Sequence, residues 1–448
     1  MRAFLHKVRG RLLKRKLWQT RIVFWGGALL VGVIAAGFAI VADTIDLWFH
    51  DFANTYTYLP LIITPLGMVA ISYAVRNWFK GAQGSGVPQS LAVMNRRERG
   101  IGNLFLTPRI VVGKILLCCG GLLCGATIGR VGPTVHIGAA IMYSIGKYMH
   151  IQRDYMLKGL IMAGGGAGTA AAFNLPLAGI MFAIEEMGRS FDKRNVSMII
   201  VAIILSGLVA ILIHDSDYRF DIVTTVGEDY LQLGIIVVVC SIAGGLIGGL
   251  FSRVLIQVTR KLSPVTNRFW LPTAFICGLV IAITGIISGG AAFGSGYIET
   301  QAMLQCAGKL DCEGHPGIWY PLYKLVTTIA TFVSGIPGGL FVPVLATGTG
   351  LGSDLALMFP TELATTVVLI TMVAYYSGVM QTPITAFIVV LEITGNNELV
   401  FALMSAALIA TWTSKQVCKR SLFEALAISI LKTLQAGQEN AAQPSPKT

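Results

Sequence analysis

Three short stretches carry the residue types of a binding site that needs neither a metal nor a nucleophile. They are GSGVP at 84–88, GRVGP at 129–133 and GIPGGLFVP at 335–343. Each joins glycines, which let a ligand come close to the backbone, to a proline suited to a first helical turn, where its missing N–H costs nothing. Each opens an apolar run, and none contains Asp or Glu. The pattern reads as a loop turning into a helix whose first N–H groups are free, and such an end attracts anions. A single loop of this kind is equally a hinge or a packing point in a membrane helix. Three helix starts aimed at one point would supply partial positive charge and N–H donors without a full cation that would trap the ion, which is what passing an anion requires. Val131, between Arg130 and Gly132, is the residue in these loops whose purpose is least evident from its type.

The elements that must hold these loops are membrane helices. A chain of 448 residues that is 54% hydrophobic and 12% charged, with mean hydropathy +0.70, has too little polar surface for a soluble protein. Ten or more apolar stretches recur between 22 and 413, and several of them are too long or too glycine-broken for one straight span. The expectation is an all-α polytopic bundle; a β-barrel would need alternating ten-residue strands, which the sequence lacks.

The formal charge of +12 does not mark a nucleic-acid protein, because the basic residues crowd at membrane edges. Arg2, Lys7, Arg9, Arg11, Lys14, Arg15 and Lys16 precede the first apolar run, and Lys415, Lys419 and Arg420 follow the last. By the positive-inside rule both termini are expected in the cytoplasm, with the basic head touching anionic lipid. The first apolar run is too long for a cleavable signal and lacks a small-residue processing site. Five of the eight cysteines (118, 119, 124, 240, 277) lie in apolar runs as small hydrophobes without metal-ligand spacing, while Cys306 and Cys312 flank a polar loop and either pair or stay free. No HExxH, nucleophile–base pair or GK[ST] phosphate loop is present, so neither an enzyme nor an ATP-driven pump is expected, and no cofactor or metal.

The loops, with FNLPLAGIMFAIEEM at 173–187, resemble the CLC chloride channel and transporter family. GSGVP is similar to that family's GSGIP, GRVGP to its GREGP, and GGLFVP to its GxFxP, over about 22–432. The resemblance implies two inverted halves of many tilted and broken helices, here 22–220 and 225–432, around one anion pore per subunit of a homodimer. A basic segment at 1–21 would precede them. A short disordered tail at 433–448, with no CBS domains, would follow. Gly294-Ser295-Gly296 partly echoes the first loop in the second half. The economy of such a chain suggests a prokaryotic protein of the bacterial inner membrane.

Carried over residue by residue, the resemblance makes Ser85 the hydroxyl donor to a central chloride and the amides of Leu340 and Phe341 its other ligands, with Gly86 and the residue at 423 beside them. Gly84, Val87, Pro88, Gly129, Arg130, Gly132, Pro133, Gly339, Val342 and Pro343 form the pore loops. A serine at 85 favours chloride over fluoride, with nitrate and bromide as further candidate ions. Two departures follow. The family's third residue in GREGP is a glutamate that plugs the outer pore when charged and swings away when protonated; Val131 can do neither. Phe423, in CKRSLFEALA, stands at the position of a pore tyrosine and lacks its O–H. Both changes point to a passive, uncoupled chloride channel.

Glu186 matches the inner proton-transfer glutamate of the family's exchangers, and a carboxylate inside a membrane is costly enough to suggest a purpose. A proton-coupled chloride exchanger with a non-standard path through Glu186 and His136 is therefore the alternative. Against it, Glu186 equally pairs with a base or faces water, and His136 reads as packed or hydrogen-bonded. Lys114 and Arg130 are expected either to raise the local anion concentration or to pair with carboxylates. Glu392 is expected to cap or pair within the bundle.

Overall fold

The computed structural model describes residues 2–95, 100–151, 153–188, 195–213, 220, 230–307, 312 and 314–442, and the side chains of 18 and of 20–435 within them. The side chains of the basic head and of the last helical turns lie outside that set. The first half runs α1 (Arg2–Thr55), α2 (Pro60–Asn77), α3 (Val87–Asn95), α4 (Gly102–Phe105), α5 (Pro108–Leu123), α6 (Val131–Tyr148), α7 (Asp154–Phe173), α8 (Pro176–Phe182) and α9 (Val196–Ile213). The second runs α10 (Tyr230–Arg268), α11 (Trp270–Ile287), α12 (Tyr297–Gln305), α13 (Tyr320–Val333), α14 (Phe341–Ala356), α15 (Ala364–Met380), α16 (Pro383–Thr394), α17 (Val400–Val417) and α18 (Leu422–Ala442). Six described segments, among them Thr20–Thr55 and Trp270–Ile287, are long and apolar enough to cross a membrane. Leu29, Val33, Leu212 and Ile276 face outward from such helices, as a lipid-facing wall requires.

The halves repeat. A shift of 210 residues, from 84 to 294, carries the start of α2 onto that of α11, α3 onto α12, α6 onto α14 and α7 onto α15. Long apolar runs break at matching places. Asn174 ends α7 at φ 57° and Gln381 ends α15 at φ 56°, and Pro176 and Pro383 then start α8 and α16. A left-handed cap followed by proline is a stop and restart signal. Small residues let the helices of each half approach closely: a Cβ on Gly138 would sit 2.0 Å from the Gly164 carbonyl oxygen, across the α6–α7 contact.

One local expectation changes. The segment expected to be a disordered tail is helical as far as Ala442, where α18 ends. Its Ala, Gln and Glu residues are good helix formers and extend a helix already nucleated by packing. Helix α1 runs without a break from Arg2 into the first apolar run. Cys306 and Cys312 form a disulfide with Cα atoms 5.7 Å apart.

Candidate functional site

The three glycine–proline loops are hydrogen-bonded to one another. Gly129 and Gly339 exchange N–H···O bonds of 2.9 and 3.0 Å, while Gly84 donates to Ile336 O at 3.1 Å and accepts from Gly338 N at 3.1 Å. The stretch at 335–343 is thus the middle rung, and the starts of α3, α6 and α14 converge on it. Glycine is needed where these backbones touch. Gly86 has φ 98°, and a Cβ there would lie 2.3 Å from His136 Cβ; a Cβ on Gly132 would lie 2.4 Å from Ser85 Oγ. Pro88, Pro133 and Pro343 all fall in first turns.

No acidic residue occupies the first turn of α3, α6 or α14, and neither Arg130 nor Leu340 caps its helix with a side chain. Their leading amides therefore lack the usual side-chain acceptor. Ser85 Oγ, at the same point, is buried and has no hydrogen-bond partner among the described residues. A buried hydroxyl without a partner is uncommon enough to call for a ligand or water. Its loop is held from behind by Lys114, whose buried Nζ donates to Ala82 O at 2.8 Å and Gly84 O at 2.5 Å. The ammonium is thereby bound to backbone carbonyls and meets no carboxylate directly among the described residues.

A cavity of about 360 Å³ leads to Ser85 from one side. Arg76, Lys80, Gln83 and Gln89 line it together with residues of α18, and among the described residues no carboxylate does, so its field favours anions. On the inner wall Phe341 sits in an aromatic cage. Its ring centroid is 5.4 Å from Phe182, 5.7 Å from Tyr376 and 5.9 Å from Phe423, the last pair stacked. Phe423, at the start of α18, thus closes the same point as the loops.

Val131 is fully buried at the first position of α6. Arg130, just before it, pairs with Asp43 of α1 and lies 5.8 Å over the Tyr297 ring. His136 is buried beneath Gly86, its Nε2 2.9 Å from Phe105 O, so the ring is packed and hydrogen-bonded. Glu186 is buried on the π-helical turn Ala183–Met187 that continues α8. Its neighbour Glu185 points elsewhere, accepting from Ile384 N (3.1 Å), Thr385 N (2.7 Å) and Thr385 Oγ1 (2.8 Å) at the start of α16. Glu392 of α16 answers by accepting from Leu177 N (3.2 Å) and Ala178 N (2.8 Å), which makes it a cap, as expected.

Lys324 and Tyr376 carry no local sequence signal. The signal for Lys324 is the repeat: it bonds to Gly294 O across 30 residues, as Lys114 bonds to Gly84 O across 30. Tyr376 is a buried tyrosine whose hydroxyl has no partner among the described residues, and its apolar surroundings in the sequence conceal it.

The chain is similar to known proteins over nearly its whole length. The "H(+)/Cl(-) exchange transporter ClcA" of Yersinia pestis bv. Antiqua (strain Angola) is 26% identical over 481 residues, covering 98% of this chain and 96% of the relative. The protein of the same name from Yersinia pseudotuberculosis serotype O:3 (strain YPIII) matches to the same extent. Among solved structures, a slow cyanobacterial Cl-/H+ antiporter has TM-score 0.79 at 21% identity, covering 92% of this chain and 98% of that one. A CLC-type fluoride/proton antiporter has TM-score 0.76 at 20% identity, with the same coverage. A model of the family described as "Voltage gated chloride channel" matches residues 66–415, and on that match the chain belongs to the voltage gated chloride channel, or CLC, family.

Proposed function

We propose that this protein is a passive, uncoupled chloride channel of the CLC family, with the anion held by Ser85 Oγ, the start of α3 at Gly86, and the amides of Leu340 and Phe341. The observation that carries the reading is Val131: a buried hydrocarbon occupies the first position of α6, and no acid stands in the first turns of α3, α6 or α14. Nothing in those turns can take an anion's place and then carry a proton away, so obligate exchange loses its shared step. Phe423 closes the site with a ring and no hydroxyl donor. Donors of this strength hold a chloride modestly and release it, and the same set admits bromide and nitrate. Lys114 fixes the Ser85 loop and adds positive potential, while Arg130 is neutralised in part by Asp43.

A second reading, a proton-coupled chloride exchanger, is favoured by the name that the 26% identical relatives carry and by Glu186, buried on the turn after Phe182, whose ring meets Phe341. Chloride flux recorded together with external pH in reconstituted vesicles separates the two, because only exchange drives protons uphill. We further infer a homodimer with one pore per subunit in a bacterial inner membrane, both termini cytoplasmic, with repeat halves near 22–220 and 225–432.

A further inference from the structure

We propose that the second half carries another anion cradle, at Ser295 and the start of α12, kept filled in the native protein by the Asp46 carboxylate. The two halves build the cradle alike. Gly84 and Gly86 have φ 61° and 98°; Gly294 and Gly296 have φ 61° and 90°. Lys114 Nζ fastens the first loop through Ala82 O and Gly84 O, and Lys324 Nζ fastens the second through Ala292 O (3.4 Å), Phe293 O (2.8 Å) and Gly294 O (3.2 Å). Even the hydroxyl returning to the loop repeats, Ser90 Oγ to Gly86 O at 3.0 Å and Thr300 Oγ1 to Gly296 O at 2.7 Å. Each loop then starts a nine-residue helix.

The serines differ. Ser85 Oγ has no partner, whereas Ser295 donates both its N–H (3.1 Å) and its Oγ–H (2.7 Å) to Asp46 Oδ2. A carboxylate oxygen thus sits on the hydroxyl and backbone donors that a halide would use, while Glu299, the acid in the first turn of α12, is engaged by His50. Asp46 lies flat on the loop, so that a Cβ on Gly294 would fall 2.0 Å from its Oδ1. That Oδ1 is buried and has no hydrogen-bond partner among the described residues. The carboxylate is therefore held through one oxygen only, as a point anion would be.

The surroundings favour a negative charge here without demanding that it belong to an aspartate. Lys324 is buried below the loop, and Tyr320, His50, Glu299, Tyr297, Asp43 and Arg130 complete the neighbourhood. His50 Nε2 is 2.8 Å from Glu299 Oε1, Tyr320 O–H has no partner, and Arg130 already pairs with Asp43. A cavity of about 10 Å³ lined by Asp43, Asp46, Arg130 and Ser295 adjoins the cradle. The cavity leading to Ser85 is separate: Arg76, in the last turn of α2, lines it, and Asp46, Ser295 and Lys324 do not. Exchanging the carboxylate for a bound halide conserves both charge and donors. Asp46 acts as a tethered anion that denies the second cradle to the permeant ion and leaves Ser85 as the single working copy.

Anomalous diffraction from crystals soaked in bromide tests this on the full chain. In the native protein no bromide is expected at Ser295. In Asp46→Ala one additional bromide is expected within hydrogen-bond distance of Ser295 Oγ, and Asp46→Asn, which keeps an acceptor oxygen in place, should show none. Adding Ser295→Ala to Asp46→Ala should abolish the extra peak. Asp46→Ser serves if the alanine variant does not fold, with the same expectation as Asp46→Ala. Bromide at Ser295 in the native protein, or an emptied cradle of unchanged shape without bromide, would overturn the proposal. The presence or absence of bromide at Ser85 bears on the channel site instead, so the two readings fail separately.

Discussion

Glu185 and Glu392 each cap the helix that carries the other. Glu185, on the turn continuing α8, holds the first amides of α16, and Glu392, on α16, holds those of α8. The two carboxylates are related by the internal repeat and satisfy helix starts that the breaks at Asn174 and Gln381 leave open. Glu185→Gln or Glu392→Gln should each cost about 1–3 kcal/mol of stability, seen as a lower melting temperature in detergent. Transport per folded molecule should be unchanged. Loss of transport in fully folded Glu185→Gln would show that this carboxylate does more than cap.

Gly132→Ala tests how closely the loops converge. Its Cβ would fall 2.4 Å from Ser85 Oγ and 2.9 Å from Gly339 Cα. The serine must turn away or α6 must shift, and chloride affinity measured by titration calorimetry should fall by about tenfold, equivalent to ~1.4 kcal/mol. Ser85→Ala in the same chain should remove part of the clash and recover some thermal stability. Unchanged affinity in Gly132→Ala would place the anion away from Ser85.

Val131→Glu restores a titratable group at the start of α6. Charged, its carboxylate would compete with chloride for the free amides; protonated, it would not. Flux should therefore be low at neutral pH and rise as pH falls through the carboxylate's titration. Flux equal to native at every pH would mean that position 131 does not face the anion path.

Phe423→Tyr adds one hydroxyl to a ring already stacked on Phe341 at 5.9 Å. A neutral hydrogen bond contributes about 0.5–1.5 kcal/mol, so chloride should bind roughly threefold to tenfold more tightly. No change in affinity would mean that the ring at 423 does not point its edge at the ion.

The parts of this site that were legible in the sequence are those governed by local backbone chemistry. Gly84, Gly86, Gly132 and the prolines after them announce close contacts and helix starts because few other residues fit there. The all-α membrane class followed from hydropathy, the inverted-repeat architecture only from the resemblance of the loops, and the existence of broken spans from the length and glycine content of several apolar runs. What stayed hidden depends on partners far along the chain. Asp46 meets Ser295 across 249 residues, and Glu185 meets Thr385 across 200. Neither pairing leaves a trace in local periodicity. The helical stretch of α18 to Ala442 was missed for the opposite reason: its polar composition suits a tail, but helix propensity and a packed preceding turn outweigh it.

The central claim is the absence of proton coupling, and the native protein decides it. Purified protein in liposomes is given a chloride gradient, the membrane potential is clamped with valinomycin and potassium, and chloride and external pH are recorded together. With Val131 in place of an ionisable group, chloride should leave with no proton movement beyond that of protein-free vesicles. Uphill proton movement in fixed ratio to chloride would contradict the channel reading and make Glu186 the first residue to replace.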